Sequence, residues 1–172
     1  MIYSFAANLC KNITKIITLE NVSKLKSIVS SYDNLLFVGN GGSNAIISHI
    51  SVDYTKFLKK KCHPFTDSSL LTAYANDYGL ENCFVEFIKS YYEKNTTVVV
   101  IISSSGNSLN VVNTVEYCEK NKIPYILLTG FSENNKAKSI SINSLLNIWV
   151  NSNSYGIVEL IHESFLHSVV DN

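Results

Sequence analysis

Arginine is absent from this chain. All 14 basic residues are lysines, balanced by 14 acidic residues, so the formal net charge is zero. No guanidinium fork is available for a bidentate grip on phosphate. A phosphate ligand would have to be held by backbone N–H groups, hydroxyls or a lysine. The missing basic surplus argues against nucleic acid as a partner. The four cysteines, Cys10, Cys62, Cys83 and Cys118, form no CxxC pair, which points to reduced thiols in a cytoplasmic protein. The first residues lack the basic-then-apolar pattern of a signal peptide. The longest apolar runs are strand-sized, far short of the ~20 residues of a membrane span. No linker or low-complexity tract divides the 172 residues, so a single domain with one buried core is expected over 1–172.

Two short turns stand out against this background. VGNGGS at 38–43 and ISSSGNS at 102–108 each follow a hydrophobic run and precede a helical pattern. Neither is a P-loop, since GxxxxGK[ST] is missing, and the first does not complete GxGxxG. No nucleotide cofactor is expected. Two strand–turn–helix units side by side would form a cradle of N–H groups, hydroxyls and positive helix ends, suited to a phosphorylated small molecule.

Elsewhere the pattern alternates. Phe5, Leu9, Ile13 and Ile16, then Val22, Leu25, Ile28 and Val29, recur at helical spacing, predicting one or two helices as an N-terminal arm over about 1–30, with Asn21 as an N-cap. Strands are predicted at 35–38, 62–65, 98–102, 124–129 and 145–150. Helices are predicted at 43–57, 68–75, 81–93, 107–120 and 156–170, with a loop or short helix at 132–138. Alternating strands and helices imply right-handed βαβ units and a parallel sheet covered on both faces. Ligands of such sheets bind at the carboxyl ends of the strands, where both turns fall.

The ionisable residues cluster on two helices. His49 and Asp53 are four apart. Glu159, Glu163 and His167 follow one stripe, with His162 three after Glu159. Such pairs can serve as base and acid or as metal ligands. The same spacing also fits a surface hydrogen bond and a solvated helix face. Glu159 and His167 are ~12 Å apart along a helix, so both would have to reach inward to share an ion.

In order and rough spacing, VGNGGS, ANDYG (75–79), ISSSGNS, LLTG (127–130) and ELIHESFLH (159–167) resemble the phosphoheptose isomerases. These are sugar isomerase (SIS) domain enzymes that convert sedoheptulose 7-phosphate to manno-heptose 7-phosphate. The resemblance spans about residues 35–170. It implies a flavodoxin-like three-layer α/β/α sandwich on a five-stranded parallel sheet, and a homotetramer with sites between subunits. It also implies a product that feeds heptose units of lipopolysaccharide, capsule or related glycans. Asp53 and His167 fall on the catalytic positions. Asn40, Gly41, Gly42, Ser43, Asn76, Asp77, Ser103, Ser104, Ser105, Ser108 and Glu159 fall on substrate-binding ones. Some members bind zinc, and their ligands fall on His49, Asp53, Glu159 and His167. The implied chemistry is aldose–ketose isomerisation through a cis-enediol, Asp53 moving the proton between C1 and C2 and His167 serving the oxygens.

The chain departs from the family pattern at several positions. Asp53 stands for a glutamate, Glu159 for a glutamine, Phe57 for an arginine and Gly156 for an aspartate. Two other readings stay open at this level: a non-catalytic SIS module that senses a sugar phosphate or binds a protein, and an isomerase of a different sugar phosphate.

Overall fold

The structure is a computed structural model that describes residues 2–170. Its elements in chain order are α1 (Ile2–Ile16), α2 (Leu19–Ser31), β1 (Asn34–Gly39), α3 (Gly42–Leu58), β2 (Lys61–Pro64), α4 (Ser68–Tyr78), α5 (Cys83–Tyr91), β3 (Thr97–Ser103), α6 (Leu109–Asn121), β4 (Tyr125–Thr129), α7 (Lys136–Ile140), β5 (Leu146–Trp149) and α8 (Tyr155–His167). All strands are parallel, in the order β2-β1-β3-β4-β5. That is the flavodoxin-like winding expected, and its order reverses between β1 and β3.

Period-two alternation divides the core. Leu35, Phe37, Val98, Val100, Ile102, Ile126 and Leu128 face α1, α2, α3 and α8. Leu36, Val38, Val99, Ile101 and Leu127 face the other helical layer. β1, β3 and β4 are buried along their whole length, which is why they read in the sequence as unbroken apolar runs. Each fully buried Val, Leu or Ile contributes about 1.5–3 kcal/mol of transfer free energy.

The N-terminal arm is two helices broken at Ile17 and Thr18. The second is capped by Thr18, whose side-chain oxygen accepts from the Asn21 N–H. Asn21 is therefore not the cap. It lies inside α2 and donates its side-chain amide to Ile16 O. No helix among the described residues is long and apolar enough to cross a membrane.

Candidate functional site

Glycine fixes the geometry at the first turn. Gly41 caps α3 at φ 54°, a left-handed conformation that suits glycine. At Gly39 an added Cβ would meet Ile102 O at 2.9 Å, so β1 and β3 approach closely there. The second turn holds itself with its own hydroxyls. Ser103 Oγ accepts from the Gly106 N–H at 3.0 Å, and Ser105 Oγ from the Asn107 N–H at 3.3 Å. The two turns are joined by a reciprocal amide pair: Asn40 Nδ2 donates to Asn110 Oδ1 at 2.9 Å, and Asn110 Nδ2 to Asn40 Oδ1 at 3.0 Å.

Between them lies a cavity of about 320 Å³, lined by Asn40, Gly41, Gly42, Ser43, Ser103, Ser104, Ser105, Ser108, Tyr155 and Glu159. The starts of three helices border it: α3 at Gly42, α6 with its N-cap Ser108, and α8 at Tyr155. Three positive helix ends at one cavity favour an anion there without any cationic side chain. Ser108 makes no side-chain cap bond. Ser104 Oγ is buried without a hydrogen-bond partner. Both hydroxyls are thus available to a ligand. The carboxylate of Glu159 lies over Gly42, where an added Cβ would come within 2.5 Å of it.

A second cluster lies further along α3 and α8. Tyr54 OH donates to Leu166 O at 2.9 Å and pins the two helices together. Their sequence neighbours Asp53 and His167 consequently meet, with Asp53 Oδ2 at 3.5 Å from His167 Nδ1 and 3.7 Å from His49 Nε2. The rings of His49 and His167 are 5.1 Å apart. Glu163 Oε1 stands 4.0 Å from His167 Nε2. His49, Glu163 and His167 each present a donor atom within 4.8 Å of the other two.

No family model matches the chain. Individual relatives do. The phosphoheptose isomerase of Buchnera aphidicola subsp. Acyrthosiphon pisum is 34% identical over 132 residues, 72% of this chain and 67% of that one. A probable phosphoheptose isomerase of Thermoplasma acidophilum is 32% identical over 169 residues, 95% and 89% of the two chains. The chain belongs to the phosphoheptose isomerase family. Phosphoheptose isomerase GmhA of Neisseria gonorrhoeae has the same fold, with a TM-score of 0.86 at 24% identity over 99% of this chain and 96% of that one. So does the NanR protein of Vibrio vulnificus complexed with ManNAc-6P, with a TM-score of 0.70 at 15% identity over 99% and 61% of the two chains.

The positions picked out from the phosphoheptose isomerase resemblance fall into three groups. Asn40, Gly41, Gly42, Ser43, Ser103, Ser104, Ser105, Ser108 and Glu159 line the cavity. Asp53, His49 and His167 come together at the second cluster. Asn76 and Asp77, hydrogen-bonded to each other at 2.9 Å, sit on the exposed last turn of α4, and neither lines the cavity. Glu159 also stands apart from the zinc set assigned to it. Its carboxylate covers Gly42, and the acid that meets the histidines is Glu163, one turn further on.

Sequence reasoning missed Asn110 and Tyr155 as parts of the site. Asn110 left a signal, being the first asparagine after ISSSGNS at the start of a helix. Tyr155 left none beyond its place before Gly156. His162, on the same helix as the predicted acids, is fully buried with Nε2 3.1 Å from Thr129 O. Burial pushes its pKa down to about 4, so it is a neutral core residue that ties α8 to the end of β4.

Proposed function

We propose that this chain isomerises sedoheptulose 7-phosphate to manno-heptose 7-phosphate, a product destined for heptose units of a surface glycan. The observation that carries this reading is the pairing, on the same two helices, of an arginine-free anion cradle with a carboxylate–imidazole couple, in a member of this family. The phosphate binds to the turns after β1 and β3. Ser43 and Asp53 are ten residues apart, about 15 Å along α3, and the long side chains of a helix lean back toward its N-terminus. That span suits an extended, open-chain sugar of six or seven carbons better than a triose.

Proton transfer next to a carbonyl needs a base at the carbon and an acid at the oxygen. Asp53 takes the proton from C1 and returns it at C2. In the metal-free protein, His167, aligned by its contact with Asp53, serves the two oxygens. The residues also fit a divalent cation such as Zn²⁺, because two imidazoles and nearby carboxylates are borderline-hard donors. Bound there, such an ion supplies Lewis-acid polarisation of the carbonyl and hydroxyl. His49 and His167, with a carboxylate beside them, would hold it.

We place the protein in the cytosol, where its four free cysteines suit a reducing compartment. A homotetramer fits the exposed apolar residues Leu19, Val52, Leu80, Leu109 and Ile142, which a lone chain leaves in water. Incubation with sedoheptulose 7-phosphate in D₂O, followed by NMR, tests the activity. The expected result is an aldose 7-phosphate with deuterium at C2, the position that an enediol route exposes to solvent. Absence of any aldose, with or without added Zn²⁺, would leave a sugar-phosphate-sensing module in its place.

A further inference from the structure

We propose that Tyr155 is a specificity-determining residue of the cavity: its ring covers the carbon that carries the phosphate, so the site takes a phosphorylated sugar in preference to free phosphate. The need for such a residue follows from the cradle itself. Backbone N–H groups, serine hydroxyls and helix ends hold any anion of phosphate size. None of them reads what the phosphate is attached to. Among the residues that line the cavity, Tyr155 alone brings a large apolar surface; the others are glycines, serines, Asn40 and Glu159.

Tyr155 is the first residue of α8 and is 61% exposed. Exposure alone says little, because single apolar residues are common on surfaces. The support beneath the ring is more specific. The Phe131 ring meets it edge-to-face, with centroids 4.7 Å apart and planes at 72°. Phe131 does not itself line the cavity and packs, partly buried, against the core. It therefore braces Tyr155 from the protein side.

Phe131 holds this place under backbone strain. Its φ is 53°, in the left-handed region. The other non-glycine residues with positive φ among the described residues are Lys59 and Lys122, which end helices, and Asn95, an asparagine. Those are ordinary places for that conformation; a bulky phenylalanine is not. Three contacts fix it there. Gly130 lets the end of β4 press on α8 and on the second turn, since an added Cβ would meet Val158 at 2.7 Å and Ser104 O at 3.1 Å. The Phe131 N–H donates to Ser152 O at 3.0 Å, and its carbonyl accepts from Trp149 Nε1 at 3.3 Å. Strain held by its surroundings clusters at ligand sites, and here it sets one ring against the aromatic of the cavity.

The chemistry suits the role. The face of an aromatic ring carries partial negative charge, and C–H bonds on a carbon bearing oxygen are polarised positive. Tyr155, Glu159, Glu163 and His167 follow at four-residue spacing on one face of α8. Tyr155 is thus about 18 Å along the helix from His167. It stands at the phosphate end of the substrate, away from the reacting carbons.

This inference deepens the isomerase reading and rests on its placement of the phosphate. Binding is measured without turnover, so either can fail alone. The full chain is titrated by calorimetry with sedoheptulose 7-phosphate and, separately, with inorganic phosphate, and the ratio of the two affinities is the readout. Tyr155→Ala should weaken sugar-phosphate binding about tenfold, the scale of losing an aromatic contact, and leave the affinity for inorganic phosphate within about twofold of the wild type. Tyr155→Phe, which keeps the ring, should hold the wild-type ratio. Phe131→Leu, which removes the edge contact but keeps a bulky apolar side chain, should give an intermediate ratio. The inference is overturned if the wild type binds the sugar phosphate no more tightly than inorganic phosphate, or if Tyr155→Ala keeps the ratio or loses both ligands alike. It is also overturned if Tyr155→Phe loses the ratio as Tyr155→Ala does, which would give the selection to the hydroxyl.

Discussion

Ser104 is 5% exposed, and its hydroxyl has no hydrogen-bond partner at the wall of the cavity. An unpaired buried hydroxyl costs about 1–3 kcal/mol, while a hydrogen bond to a charged group contributes about 1.5–3 kcal/mol. Ser104→Ala should therefore leave the free protein as stable as before or slightly more so, yet weaken sugar-phosphate binding by roughly 1 kcal/mol or more. Urea unfolding and titration calorimetry measure the two separately. A variant that lost stability and kept its affinity would remove Ser104 from the phosphate site. His162 carries a different residue-scale consequence. Burial lowers its pKa from 6.5 to about 4, so the unfolded chain takes up this proton at a higher pH than the folded one. Stability from this group is complete above pH 6.5 and is lost as pH falls toward 4, by roughly 3 kcal/mol in all. His162→Gln should be less stable at pH 7 but show a shallower loss of stability over that window. An unchanged slope would mean that His162 is not the titrating group.

The elements show what the sequence made legible and what it hid. β1, β3 and β4 were readable because strands covered on both faces must be apolar throughout. Both turns at the cavity were readable because strand-to-helix turns at a sheet's carboxyl edge use Gly, Ser and Asn for conformational reasons. The pattern of the N-terminal arm left one or two helices open, and the cap it offered, Asn21, lies three residues past the actual one, Thr18. Thr18 and Asn21 are both capping residue types, and only the backbone decides between them. Glu159 and Glu163 lie on one stripe of α8. Helical phase could not say which meets the histidines, because that depends on where α3 crosses α8, and Tyr54 sets that crossing. The turn after β3 is also held from outside, by α7. Asn135 caps α7 by accepting from the Lys138 N–H at 2.9 Å, and Gly106 O accepts from the Ala137 N–H at 2.9 Å. Gly106 has φ 63°, and a Cβ there would collide with the Asn135 side chain. Gly106→Ala combines left-handed strain of about 1–2 kcal/mol with loss of a cap worth about 1 kcal/mol. A drop of roughly 2–3 kcal/mol in unfolding free energy is expected, together with weaker phosphate binding. A change below about 0.5 kcal/mol, within ordinary surface variation, would show that the turn is not latched in this way.

For the whole molecule, assembly and chemistry are linked. Asn76 and Asp77 do not line the cavity of their own chain, and we attribute their proposed substrate contacts to a neighbouring subunit. Light scattering at micromolar concentration should give four times the 19.2 kDa of one chain; a monomer would exclude those two residues from the site. Asp53 is the proposed proton-transferring base of the isomerase reaction. Asp53→Asn keeps the shape and hydrogen-bonding capacity of the side chain while removing its basicity. Loss of a general base costs about 100- to 10,000-fold in rate. The most direct measurement is kcat of Asp53→Asn against wild type on sedoheptulose 7-phosphate, with binding of the sugar phosphate checked in parallel. A loss of that order with affinity retained is expected. An active wild type whose Asp53→Asn variant turns over at a comparable rate would contradict it.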